Sequence, residues 1–207
     1  MKKSFYVWTR DLHLYCGLFI SPFVLLFATS VLYLNHAKLP TLPPAAPEIF
    51  QNVRIPDGIV ERQGREAVNL AREILPQVGV TGEIGFLRVL RKEQRLVFPV
   101  SRPGLEATID VDLSAGSVSV SRRRTGFLES LGYLHKMPGP HNVNVRGNWV
   151  WTRAWVWLAD ATIYLTLFIS VSGIYLWFAI KAERKIGLSL LTLGAVVFFG
   201  LIYAVIR

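Results

Sequence analysis

Twenty consecutive residues, Tyr15 to Leu34, carry no charged side chain. As an α-helix a run of that length is about 30 Å long, the thickness of a bilayer's hydrocarbon core. It therefore predicts a membrane span rather than a core helix. His13 stands at its threshold, a titratable and metal-competent group at membrane depth.

The rest of the chain repeats the signal. Of 207 residues 52% are hydrophobic, and the mean hydropathy is +0.37, too apolar for an ordinary soluble domain. Two further spans are expected, about Ala161–Ile180 and Gly187–Ile206, parted by a charged patch of Lys181, Glu183, Arg184 and Lys185. Between the first two spans lies a polar, turn-rich stretch the size of one small domain. The expected divisions are an entry turn and first span (1–36), a Pro-rich linker (37–49) and an α+β domain (50–122). An amphipathic helix and turn (123–148), an aromatic belt and second span (149–180), and a loop and third span (181–207) follow.

Orientation follows from the basic side chains. Lys2, Lys3 and Arg10 precede the first span, against Lys38 alone after it, and Lys181, Arg184 and Lys185 fill the last loop. The positive-inside rule then puts the N-terminus in the cytoplasm and the central domain outside. A cleaved signal peptide is the competing reading of the first 34 residues. The apolar run is too long for one, and no small-x-small site follows it cleanly.

The net charge of +9 does not mark a nucleic-acid binder. The stretch from His36 to Asn148 holds fifteen basic and eleven acidic side chains, a net of +4 that suits a surface facing anionic headgroups. A nucleic-acid face would need concentrated base with interleaved aromatics. The densest patch, Arg122–Arg124, reads as a solvated or headgroup-facing cluster. Cys16, the one cysteine, excludes an intrachain disulfide or thiolate metal site.

Along the chain, Phe5, Trp8 and Leu12 recur at helical spacing before the first span. Gly17, Ser21 and Ala28 line one stripe of that span, and Pro22 is expected to kink it. Pro40–Pro47 reads as a stiff linker. A helix over Gln63–Leu75 places Ala67, Leu70, Ala71 and Ile74 on one face. Strands are expected at Ile84–Leu90, Arg95–Ser101, Leu105–Asp112 and Ser117–Ser121. Ile109, Val111 and Leu113 alternate with Asp110 and Asp112, the mark of a strand wet on one face. Gly126–Lys136 predicts a helix with Phe127, Leu128, Leu131 and Leu134 on one side, lying along the membrane or under the sheet. Met137–Pro140 ends it. Trp149, Trp151, Trp155 and Trp157 mark the outer interface. Thr162, Thr166, Ser170 and Gly173 form a small, polar stripe expected to face the first helix.

These parts resemble a known family. Arg10–His13 with Gly17 entering the first span resembles the bacterial PepSY-associated transmembrane proteins. The external helix and strands, ending in Ile109–Asp112 and Gly116–Val118, resemble a PepSY domain. Leu134-His135 and Ile169–Trp177 resemble the family's later "LH" and "SG-x-x-LW" signatures. The resemblance implies a bacterial inner-membrane protein with an extramembrane α+β domain in the periplasm; the three transmembrane helices are read from the residues, and larger members have more. It also implies a link to siderophore iron reduction, with b-type haem in larger members.

The histidines are weighed against that expectation. His13 and His36 flank the first span 23 residues apart, roughly 35 Å along a helix, too far to share one ion. His13 reads as an interface imidazole bonded to a neighbour, or as a ligand only if another subunit supplies the second ring. His36, His135 and His141 belong to the outer side, where two of them could converge on haem or a divalent metal. Asp160 is a candidate second-shell group, or a partner of Arg153 at the interface. No hydrolytic, phosphate-cradling or nucleotide motif is present, so no catalytic residue is expected. The leading reading is an accessory binding module, in iron or siderophore uptake, for a membrane or periplasmic protein partner, with a homo-oligomer as a further option. Its rival is a redox subunit carrying b-type haem for ferric-siderophore reduction. A peptidase-regulating module is a third, by analogy alone.

Overall fold

The computed structural model describes residues 3–36, 42–136, 145–180 and 183–206. Lys2, Lys38, Lys181, the start of the Pro-rich linker, the Met137–Pro140 turn and His141 lie outside the described residues. Three helices are long and apolar enough to cross a membrane, and they flank a six-stranded antiparallel sheet. They are α1 (Lys3–His36), α4 (Val150–Ile180) and α5 (Arg184–Ile206). The chain is a multi-pass membrane protein with one extramembrane α+β domain. It divides into two compact units, residues 23–160 and residues 1–22 with 161–207.

The larger unit contains the sheet. Its order is β1 (Glu48–Phe50), β6 (Ser117–Arg124), β5 (Leu105–Asp112), β4 (Arg95–Arg102) and β2 (Glu83–Ile84), with β3 (Arg88–Leu90) also paired to β4. Alternation decides which face is dry. Leu96, Phe98 and Val100 of β4, Ala107, Ile109 and Val111 of β5, and Val118 and Val120 of β6 are buried together. Helix α2 (Gly64–Ile74) covers them with Ala67, Val68, Ala71 and Ile74. Val68 lies in this contact, and Leu70 is only partly buried at its edge.

Two strand expectations are corrected. The run Ile84–Leu90 is two short strands, not one, because Pro99 stands opposite in β4. Proline gives no ladder donor; here its carbonyl accepts the Gly85 N–H at 2.8 Å and its ring fills the space of a side chain. A Cβ on Gly85 would sit 2.8 Å from the Pro99 ring. The sheet also gains β1, whose three residues pair with Val118–Val120.

Helix α3 (Phe127–Lys136) buries only part of its expected apolar face against the protein. Phe127 is 77% exposed and Leu128 is exposed, while Ser130, Leu131 and Gly132 are buried. Ser130 Oγ accepts the Gly104 N–H at 2.9 Å, which fastens the helix to the β4–β5 turn. Gly132 lies against Tyr33 and Leu34 of α1, where a side chain would meet Leu34 at 3.0 Å.

In the smaller unit, α1 and α4 pack antiparallel: His13 opposes Ser172, and Gly17 opposes Ile169. The buried positions on α4 here are Thr162, Ser172 and Leu176. Thr166 and Ser170 of the expected stripe are exposed, as is Ala28 of the other one. Their hydroxyls donate to the carbonyls of Thr162 and Thr166, four residues back. So satisfied, they need no protein contact. Helix α1 continues through Pro22. The carbonyl that proline leaves without its helical donor, Leu18, accepts the Ser21 hydroxyl at 3.0 Å. Helix α5 has no buried residue among those described; at Gly187 it passes close to the Trp177 ring.

Candidate functional site

Each described histidine at membrane depth is held by a serine. In the smaller unit His13 Nδ1 lies 2.8 Å from Ser172 Oγ. In the larger unit His135 Nδ1 lies 2.9 Å from Ser30 Oγ. Both hydroxyls also face a carbonyl of their own helix, Ile169 at 3.2 Å and Phe27 at 2.7 Å. A hydroxyl has one proton to give. Given to the carbonyl, it leaves the oxygen to accept from Nδ1, and the serine engages that nitrogen alone in each ring.

His135 belongs to a larger cluster. Its ring meets Phe27 edge-on, with centroids 5.6 Å apart, and Phe27 in turn packs against Trp155 at 5.9 Å. The Trp155 indole N–H donates to the Leu134 carbonyl at 3.0 Å. Beside this cluster opens an apolar cleft of about 300 Å³, walled by Tyr133, Leu134, Trp149, Trp151, Trp155 and Leu158 and floored by Thr152 and Pro103. Burial pushes the Tyr133 phenol well above its ordinary value, with the Glu83 charge adding to the shift; its hydroxyl donates to the Ser101 carbonyl.

What fixes this cluster to the sheet is a set of residues no motif announced. Glu83, 5% exposed, accepts the backbone N–H groups of Gly147, Asn148 and Trp149. These lie just before α4, where the helix dipole also favours a carboxylate. The Asn148 side chain completes the joint, accepting the Ile84 N–H and donating to the Ile84 and Val145 carbonyls. Arg72 of α2 donates to the Asn148 carbonyl at 2.6 Å. Glu83 is therefore both a strand residue and the anchor of a membrane helix.

Other expected residues fall elsewhere. Arg122 and Arg123 are not a free basic patch. Arg122 pairs with Glu48, donates to the Val78 carbonyl and lies over the Phe50 ring; Arg123 bridges Glu106 and Glu129. Those two carboxylates raise the Arg123 guanidinium further above its ordinary value. The side chain of His36 is exposed at the end of α1. Asp160 is exposed, and among the described residues no cation, Arg153 included, lies within ion-pair distance of it. Among the described residues no group of three His, Cys, Asp or Glu side chains could hold a metal ion.

Fold and site together define a three-span membrane protein whose extramembrane α+β domain is locked onto the first turn of a transmembrane helix. Residues 7–207 match the model of the putative PepSY_TM-like family, and the chain belongs to that family. No curated protein matches the chain, and no solved structure does.

Proposed function

We propose that this protein is a non-catalytic accessory module of the bacterial inner membrane, presenting its α+β domain to the periplasm. There the domain engages a partner or ligand of iron or siderophore uptake next to the bilayer. The observation that supports this reading is the Glu83 joint. Three backbone donors on one buried carboxylate tie the sheet to the head of α4 and so present the domain next to the bilayer. Phe86, beside β2, and Ile49, on the opposite edge strand β1, stand exposed on the domain's surface.

Two measurements test it. A reporter inserted at Gly104 is expected to be active outside the cytoplasm; activity confined to the cytoplasm overturns the orientation. Deleting residues 50–121 is expected to abolish partner capture while the spans still insert, and retained capture overturns the platform role.

The rival reading, a b-type haem subunit, draws on Nε2 of His13 and His135, which the serines do not engage. Bis-histidine ligation needs a second imidazole, from another histidine of this chain or from another subunit. A Soret band in protein from haem-replete cells, lost in His13→Ala or His135→Ala, would establish it, and a colourless preparation would end it.

A further inference from the structure

Helix α1 serves as a depth gauge for the end of the domain that meets the bilayer. His135 of α3 lies against Ser30, and Gly132 lies against Tyr33 and Leu34. So α3 runs inward where α1 runs outward. Leu34 closes the charge-free run of α1 and marks the edge of the hydrocarbon. Phe127, five residues before Gly132, then stands at most about 7 Å beyond that edge. The headgroup layer on each side of a bilayer is about 5–8 Å thick. The β4–β5 turn shares that level. Its Gly104 N–H donates to Ser130 Oγ, its Gly104 carbonyl accepts the Thr125 N–H at 3.2 Å, and Pro103 stands beside Tyr133 and Trp155.

This end of the domain is cationic. The register sets Arg102 opposite Leu105, and Leu105 opposite Arg124. The two arginines therefore close one face of the sheet, two strand spacings or about 10 Å apart. Both are exposed, and Arg102 donates only to the neutral Thr81 hydroxyl, at 3.0 Å. Among the described residues neither has a carboxylate within ion-pair distance. The carboxylates adjoining them in β5 and α3, Glu106 and Glu129, are both spent on Arg123. Beside Arg124 in the chain, Phe127 and Leu128 are exposed. Cations without counter-charge and bare apolar side chains at headgroup level ask for one surface that offers both anionic oxygen and hydrocarbon.

We propose that this end of the domain is a binding surface for anionic phospholipid. Arg102 and Arg124 engage headgroup phosphates, which suit the guanidinium fork, and Phe127 and Leu128 wedge between the headgroups. The inference goes beyond the accessory-module reading and does not need it, because the surface faces the same bilayer on whichever side the domain lies. It is tested without any protein partner, so the two can fail separately.

The experiment uses the full chain in nanodiscs, with Cys16→Ser and with Leu128→Cys carrying an environment-sensitive dye. Phosphatidylglycerol is titrated into phosphatidylcholine discs, and burial of the dye is read as a blue shift. A saturable shift is expected, and it should be lost in about 0.5 M NaCl, where the Debye length is about 4 Å. Arg102→Gln and Arg124→Gln should each raise the phosphatidylglycerol fraction at half-shift about fivefold, while Arg102→Lys and Arg124→Lys should stay within about twofold. Thermal unfolding checks the fold of each variant, and the salt response requires no arginine variant at all. Emission that ignores phosphatidylglycerol, or a shift that survives salt or both glutamine variants, overturns the proposal. So does an equal shift on adding inorganic phosphate to phosphatidylcholine discs, since the surface then takes the free ion.

Discussion

The Glu83 carboxylate accepts the backbone N–H of Trp149 at 2.8 Å, joining a two-residue strand to a membrane helix 66 residues away. Two more N–H groups, of Gly147 and Asn148, share that carboxylate. Removing it leaves three donors without their acceptor. Glu83→Ala is expected to cost about 3 kcal/mol and to open the segment before α4 to protease. Glu83→Gln keeps an acceptor and should cost about 1 kcal/mol. Thermal unfolding in detergent with limited proteolysis measures both; equal, negligible losses would mean the joint contributes nothing.

The serine–histidine bonds should be energetically modest and chemically specific. Interhelical hydrogen bonds in membranes are worth about 0.5–2 kcal/mol. A double-mutant cycle on Ser30→Ala and His135→Ala is expected to give a coupling in that range, and Ser172→Ala with His13→Ala likewise. Nitrogen-15 spectra of labelled histidine should show both rings protonated at Nδ1. Ser30→Ala should release the tautomer of His135 and leave that of His13 unchanged.

At Gly85 the prediction is steric. A methyl there would meet the Pro99 ring at 2.8 Å, in a place where the backbone N–H is already committed to the Pro99 carbonyl. Gly85→Ala is expected to destabilise the domain by about 1–3 kcal/mol. Pro99→Ala in the same background should recover part of the loss. Denaturant unfolding of the two variants and their combination decides it.

The sequence made one kind of information legible and hid another. Period two in β5 and β6 and period 3.6 in α2 are local, so their buried faces could be read from neighbours a few residues apart. The three charge-free runs are local too. The break at Gly85–Leu87 depends on a proline in another strand, and the short β1 depends on partners some seventy residues on. Of the α4 stripe, Thr162 is buried and Gly173 lies against His13, while Thr166 and Ser170 satisfy themselves on their own helix and stay exposed. Arg122 and Arg123 looked like a patch because their carboxylate partners come from other elements, Glu48 from β1, Glu106 from β5 and Glu129 from α3. In the candidate site, His135 was visible as a residue and Ser30 as a hydroxyl. Nothing local announced that they would meet, nor that Arg72 of α2 would bond the Asn148 carbonyl at the head of α4.

The β5–β6 turn should be acid-sensitive, with Asp112 as its switch. Its carboxylate accepts the Ser114 hydroxyl at 2.6 Å and the backbone N–H groups of Ala115 and Ser114, each at 2.9 Å. The Ser114 hydroxyl, then the Ala115 N–H, hold the carboxyl below its ordinary range. A carboxylate with a depressed folded pKa stabilises the native state fully above the unfolded value, about 3.9. That contribution is lost as pH falls through the lower, folded value. Hydrogen exchange at Ser114 and Ala115 should therefore be constant from pH 7 to about 5 after correction for intrinsic rates, and accelerate below about 4. Asp112→Asn keeps one acceptor oxygen without the charge and should flatten that dependence, with exchange already raised at neutral pH. If the variant retained the acid limb, another carboxylate would control the turn; the candidate is Asp110, which pairs with Arg95 on the neighbouring strand.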